Sequence, residues 1–228
     1  MLEAFVFAGV ASGGLLLGTV VGAVWDAPQR VVAALLAFAS GALLSAMAFE
    51  LFEEAEHQAG LLLAAGALVA GAAVFIGATL LLQRKFPRDE ATGLALVAAV
   101  TLDGVPENLA LGVTLLTGGS AVLLVAIVAS NFAEALSGTV KIRRDGSVAE
   151  ALVVWGATAV VLAAALVLGR LALDGAGEHV LGACLAFAGG AVLASLADTL
   201  MPEAYREGGP LIGFATTAGF LVSYAVAA

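Results

Sequence analysis

The chain has 228 residues, of which 62% are hydrophobic and only 12% are charged. A soluble domain carries about 25% charged and under about 50% apolar residues, so this composition excludes a water-soluble globular protein. The net charge of -9 argues against nucleic acid as a partner, and the single cysteine, Cys184, excludes an intrachain disulfide or a Cys-x-x-Cys metal site.

Charged residues, proline and glycine divide the apolar sequence into eight segments, each about long enough to cross a hydrocarbon core of about 30 Å. The predicted spans cover approximately residues 3–25, 31–54, 59–83, 91–115, 119–140, 148–173, 179–201 and 209–228. The loops are too short for a soluble domain, so residues 1–228 are expected to form a single transmembrane domain in the lipid bilayer. The N-terminal run lacks the positive start of a signal peptide, and we expect it to be retained as the first span.

The basic residues test this count of spans. With sides numbered alternately from the N-terminus, Arg170 alone falls on one side. The other eight of the nine fall on the opposite side: Arg30, Arg84, Lys85, Arg88, Lys141, Arg143, Arg144 and Arg206. Because the side rich in Lys and Arg is cytoplasmic, both termini are predicted to lie outside.

The chain also contains an internal repeat. Residues 37–55 in span 2 and 186–204 in span 7 are identical at ten of 19 aligned positions, including Phe38 with Phe187 and Glu54 with Glu203. These spans would cross in opposite senses, since five steps separate them. Inverted repeats are typical of secondary carriers, whose sites form where the two halves meet.

Acidic residues lie inside the predicted spans and not only at their ends. Asp103, Glu107 and Glu134 lie well inside spans 4 and 5, and Glu50 and Asp198 lie nearer the ends of spans 2 and 7. An acid at mid-membrane costs about 2.5–3.5 kcal/mol on insertion scales, and the sequence places no Lys, Arg or His deep in any span. A cation site, a protonated cluster and a water-filled cavity remain as explanations, and the cation site is favoured.

Proline sharpens the interpretation of span 4. Asp103 and Glu107 are one helical turn apart and share a face. Pro106 between them frees the carbonyl of Leu102, which needs a partner in a membrane interior. Asn108 either faces the same cavity or bonds a neighbouring helix; the sequence leaves both open.

Span 5 repeats this polar-x-x-x-Glu frame more weakly. Ser130 and Glu134 share a face, and Asn131 is adjacent. With spans 4 and 5 side by side, carboxylate, amide, hydroxyl and carbonyl oxygens would converge. An all-oxygen set suits a harder divalent cation such as Mn or Mg. The predicted metal site consists of Asp103, Glu107, Ser130, Asn131 and Glu134.

These motifs resemble those of the ZIP (Zrt/Irt-like) metal transporters. The segment Asp103-Gly-Val-Pro-Glu-Asn-Leu-Ala-Leu-Gly112 is similar to the family's fourth-helix pattern His-Asn-x-Pro-Glu-Gly-Leu-Ala. Ser130-Asn-Phe-Ala-Glu134 resembles the fifth-helix pattern, and residues 186–203 resemble the seventh helix. The resemblance implies an all-α integral membrane fold of eight helices arranged 3+2+3, with spans 1–3 and 6–8 as the inverted repeat.

The resemblance also implies roles. Glu107 and Glu134 would bridge the metal, and Asp103 would stand where the family has a ligand His, so zinc preference is not implied. The way-stations would be Glu50 near the outer face and Asp198 and Glu203 near the inner face. The family likeness suggests a homodimer.

We therefore expect a multi-pass carrier of the plasma (inner) membrane that moves divalent metal cations, such as Zn, Mn or Fe, towards the cytoplasm by alternating access. The metal is the substrate, and no organic cofactor is expected. A proton- or sodium-coupled carrier and a non-transporting ZIP-like relative are the alternatives. An enzyme is not expected, because the sequence has neither an HExxH motif nor a nucleophile paired with a base in its spans.

Overall fold

A computed structural model describes residues 1–85 and 93–227, and all the regular structure in these ranges is helical. The all-helical prediction is therefore confirmed for this part of the chain. Arg88 and the predicted start of span 4 at residues 91 and 92 lie outside the described residues. The helices are α1 (Leu2–Val24), α2 (Gln29–Ala46), α3 (Glu53–Ala59), α4 (Leu61–Lys85), α5 (Gly93–Thr114), α6 (Ala121–Asp145), α7 (Val148–Ala172), α8 (Glu178–Asp198), α9 (Leu200–Gly208) and α10 (Ile212–Ala227).

Local sequence signals explain several helix ends. The hydroxyls of Ser120 and Ser147 cap α6 and α7 by accepting hydrogen bonds from Leu123 N at 2.9 Å and Glu150 N at 3.1 Å. Gly60 ends α3 with a φ of 79°, a conformation that glycine adopts without a Cβ penalty. Serine at the start and glycine at the end are the signals expected for helix termini.

Two predicted spans are interrupted rather than straight. Met47–Phe52 forms a π-helical turn between α2 and α3, and Thr199 separates α8 from α9 with a φ of -118° and a ψ of -74°. In the alignment of the sequence repeat, Thr199 is equivalent to Glu50 at the middle of the π-helical turn. Both copies of the repeat thus depart from regular α-helix at the same place.

Six helical stretches in the described residues are long and apolar enough to cross a membrane: Leu2–Val24, Gln29–Ala59, Leu61–Arg84, Ala121–Arg144, Val148–Ala172 and Glu178–Ala227. The last is 50 residues long and contains predicted spans 7 and 8. Only 17% of the apolar window in Leu61–Arg84 is buried inside the protein, so this helix presents its side chains to the surroundings. The apolar helices indicate a multi-pass membrane protein.

The helices pack in matched pairs. Helix α1 packs on α6 and α5 packs on α7, while α2 packs on α10 and α4 packs on α8. Helix α2 also contacts α6, and α8 contacts α5. The predicted repeat relates spans 1–3 to spans 6–8 and span 4 to span 5. Under this relation the α1–α6 pair corresponds to α7–α5, the α2–α10 pair to α8–α4, and the α2–α6 pair to α8–α5.

Glycine contacts show the same equivalence at the level of residues. A Cβ on Gly41 would meet the backbone of Thr216, and one on Gly190 would meet the backbone of Leu68. In the repeat alignment Gly41 and Gly190 occupy equivalent positions. In both pairs the absence of a side chain lets the helix backbones approach closely, as small residues do in membrane bundles.

Candidate functional site

Helix α5 carries three buried polar side chains into the bundle. Asp103 is 6% exposed, Glu107 is 2% exposed and Asn108 is 1% exposed. Their helix continues through Pro106 without a break. The predicted interior position of the two acids on α5 therefore holds within the described bundle.

Helix α6 faces these acids with Ser130 and Glu134. The Ser130 hydroxyl lies 3.4 Å from Oε2 of Glu107 and 3.1 Å from the carbonyl oxygen of Ile127. The other carboxylate oxygen of Glu107, Oε1, is buried and has no hydrogen-bond partner among the described residues. A buried acceptor that lacks a donor is costly, so this oxygen is suited to receive a cation or a proton.

The acids form one electrostatic group. The carboxylate of Glu134 interacts with those of Glu107, Asp103 and Glu203, and the carboxylate of Asp103 interacts with that of Asp198. Like charges in a low-dielectric interior repel strongly. This grouping brings together acids from α5, α6, α8 and α9, which are far apart in the sequence.

A pocket of about 140 Å³ exposes part of this group. Its acidic lining residues are Asp103, Glu134 and Glu203. The remaining lining residues are Leu36, Val100, Ser137, Gly138, Lys141, Thr199 and Leu200. Hydroxyl and carboxylate oxygens therefore share one accessible space, while Glu107 is not part of its lining.

The five predicted ligands do not form one ready-made metal site. Among the described residues, no group of three His, Cys, Asp or Glu side chains is close enough to hold one metal ion. Asp103 and Glu134 share the pocket, whereas Glu107 lies beside Ser130.

The two asparagines are occupied by backbone contacts. The Asn131 amide donates to the carbonyl oxygen of Ala11 at 3.0 Å, which ties α6 to α1. The Asn108 amide donates to the carbonyl oxygen of Gly104 in its own helix at 2.9 Å, and its Oδ1 is buried without a partner. Each amide nitrogen therefore bonds backbone, and only the side-chain oxygens could serve a cation.

The predicted way-stations lie at separate places. Glu50, in the π-helical turn, accepts a hydrogen bond from Ser120 at 2.7 Å. Glu203 accepts hydrogen bonds from Ser137 at 2.6 Å and from Lys141 at 2.7 Å. Asp198 interacts with Asp103, as described above. Of these three acids, Glu203 has a cationic partner in Lys141.

Sequence reasoning missed four polar residues around the pocket. Ser195 and Thr199 lie beside the Asp103 carboxylate, and Ser137 and Lys141 line the pocket. The spacing of Ser137 and Lys141 from Glu134, at i+3 and i+7, could have revealed that they share its helix face. In the sequence pattern, Lys141 indicates only topology, as one of the eight basic residues on one side.

A comparison with protein-family models gives no match, and a comparison with curated proteins gives none either. The resemblance to ZIP transporters therefore rests on the motifs of α5, α6 and α8 and on the repeat.

Proposed function

We propose that this protein is a membrane carrier that moves divalent metal cations towards the cytoplasm, with Asp103 and Glu134 as the carboxylates that receive the metal. The observation that carries the proposal is the pocket shared by these two acids inside a helical bundle. Uncompensated carboxylates in a membrane interior are rare and mark ion pathways. Glu107 is proposed to join the coordination shell as the helices rearrange.

The arrangement of donors supports a divalent ion as the substrate. The pocket offers the carboxylates of Asp103 and Glu134 with the hydroxyls of Ser137 and Thr199. All of these donors are oxygens, and the described residues include no His or Cys near them. Hard or borderline divalent cations such as Mn²⁺ bind oxygen ligands more readily than softer cations do, so Mn²⁺ is the best first probe.

The repeat supports alternating access as the mechanism. We propose eight spans arranged 3+2+3, with both termini outside and with spans 1–3 and 6–8 inverted relative to each other. The paired contacts of Gly41 and Gly190, and the equivalent interruptions at Glu50 and Thr199, support this arrangement. Interrupted helices next to a central site are typical of secondary carriers. One helix group would rock against the other and expose the acids to each side in turn.

Uptake into proteoliposomes tests the proposal. Full-length protein is reconstituted, and uptake of Mn²⁺, Zn²⁺, Cd²⁺, Fe²⁺ and Mg²⁺ is measured for wild type, Glu134→Gln and Glu178→Gln. Glu178 is an exposed acid at the start of α8 and provides the matched control. We expect uptake of at least one ion by wild type and Glu178→Gln, and its loss in Glu134→Gln.

The same experiment separates the alternatives. Flux of H⁺ or Na⁺ without divalent flux would favour the proton- or sodium-coupled carrier. Binding of Mn²⁺ without flux of any ion would favour the non-transporting relative. Equal divalent uptake by wild type and Glu134→Gln would refute the site.

A further inference from the structure

A lysine lies at the same pocket as the acids. The Lys141 ammonium is 2.7 Å from Oε1 of Glu203, and the Ser137 hydroxyl donates to the same oxygen at 2.6 Å. The side chain of Lys141 is 53% exposed and that of Glu203 is 30% exposed. The pair is therefore in contact with the surroundings, and its two members can separate without burying an unpaired charge.

The Lys141–Glu203 ion pair lies in the pocket proposed to hold the metal. Glu134, Ser137 and Lys141 follow one another along one face of α6, and all three line the pocket. Glu203 lines the same pocket and interacts electrostatically with Glu134. A cation held by Asp103 and Glu134 would therefore lie near Glu203, whose carboxylate already holds the lysine.

The acid equivalent to Glu203 in the repeat has a different partner. Glu54 is the repeat equivalent of Glu203. Its Oε1 accepts a hydrogen bond from the neutral amide of Gln58 at 2.5 Å. The two equivalent acids therefore differ in their partners, since one has a cation and the other an amide.

We propose that Lys141 is a tethered cation that competes with the metal for Glu203 and so promotes release of the metal from the pocket. This inference rests on the proposed function. A divalent ion at the Glu203 carboxylate would lie close to the Lys141 ammonium, and the two positive charges repel each other. Lys141 therefore returns to Glu203 as the metal departs, and it keeps Glu203 and Glu134 from holding the ion together. Lys141 acts through Glu203 and is a positioning residue rather than a metal ligand.

Removal of the lysine charge should convert the pocket into a tighter metal site. In Lys141→Gln, Glu203 is free to join Asp103 and Glu134 around the ion. Because partly exposed ion pairs are weak, we expect the Kd for Mn²⁺ to fall by about fivefold. Net Mn²⁺ uptake at saturating ion should also slow, since release from the pocket becomes harder.

Mn²⁺ binding to the purified full-length protein, measured by electron paramagnetic resonance of the free ion, tests the proposal. The variants are Lys141→Gln, Lys141→Met, Lys141→Arg, Glu134→Gln and the double variant Lys141→Gln/Glu203→Gln. Arg144→Gln is the matched control, because it removes an exposed positive charge three residues further along α6. Thermal unfolding of each variant identifies any that fail to fold. If Lys141→Gln fails to fold, Lys141→Met, which keeps a long side chain, takes its place.

The expected pattern is a lower Kd in Lys141→Gln and Lys141→Met, with Kd close to wild type in Lys141→Arg and Arg144→Gln. The double variant should lose the gain in affinity, which a purely structural role of Lys141 would not produce. An unchanged or higher Kd in both neutral variants overturns the inference if Mn²⁺ binding to wild type depends on Glu134. Wild-type protein that fails to bind Mn²⁺ overturns the inference alone, whereas Mn²⁺ binding that Glu134→Gln leaves unchanged overturns the proposed metal site as well.

Discussion

Replacing Gly41 with alanine tests how closely α2 and α10 pack. An added Cβ would lie 2.8 Å from the carbonyl carbon of Thr216 and 3.0 Å from the backbone nitrogen of Phe220. Both distances are shorter than ordinary van der Waals contact. Because the obstructing atoms are backbone, relief requires a shift of a whole helix, and such overpacking costs about 1–3 kcal/mol.

Gly77→Ala is the matched control for this substitution. Gly77 lies within α4, and nothing lies within 4 Å of the position that its Cβ would occupy. Both variants gain about 1 kcal/mol of helix propensity relative to glycine, so their difference isolates the steric cost. We expect the unfolding free energy of Gly41→Ala to be about 1–3 kcal/mol below that of Gly77→Ala.

Unfolding by SDS titration in mixed micelles, followed by circular dichroism, measures this difference. Gly190→Ala should show a loss similar to that of Gly41→Ala, because its Cβ would meet the backbone of Leu68 in the equivalent contact. Equal stabilities of Gly41→Ala and Gly77→Ala would show that α2 and α10 do not approach as described. A loss in Gly41→Ala alone would argue against equivalence of the two repeat copies.

Two further substitutions test the interior of the bundle. Mn²⁺ at 100 times the wild-type Kd should raise the unfolding free energy of wild type by about 2.7 kcal/mol. It should raise that of Glu107→Gln by less than about 1 kcal/mol, since the buried Oε1 of Glu107 lacks a partner among the described residues and is proposed to receive the ion. Equal stabilisation of both proteins in the same SDS titration would exclude Glu107 from the metal site. Asn131→Ala removes the hydrogen bond from α6 to the Ala11 carbonyl oxygen, so it should lower the unfolding free energy without metal by about 0.6–1.7 kcal/mol, the range found for bonds between membrane helices. Unchanged stability of this variant would contradict the interhelical bond.

The candidate site could be predicted only in part. The placement of Asp103 and Glu107 on one face of α5 followed from their spacing, because residues i and i+4 of a helix share a face whatever the rest of the protein does. The spacing could not predict that Asp103 and Glu134 line the pocket while Glu107 contacts Ser130. It depends on how α5 and α6 are rotated against each other, and rotation is set by packing with helices distant in sequence.

Asn131 illustrates the same limit. Its position beside Ser130 and Glu134 predicts a ligand, and its amide nitrogen also bonds the Ala11 carbonyl oxygen on α1, which the sequence does not predict. An amide in an apolar helix takes the nearest backbone acceptor, because an unsatisfied donor is costly there. Which acceptor is nearest is a property of the neighbouring helix.

The sequence by itself determined the all-helical character, the length and apolarity of the helices and the existence of the repeat, because composition, hydropathy and identity are read residue by residue along the chain. Only the tertiary structure decided that Lys141 pairs with Glu203 and that Asp103 and Glu134 share a pocket from which Glu107 is absent. The physical reason is one of distance. Electrostatic and hydrogen-bonding contacts act over a few ångströms, and residues from α5, α6 and α9 reach that range only when their helices pack.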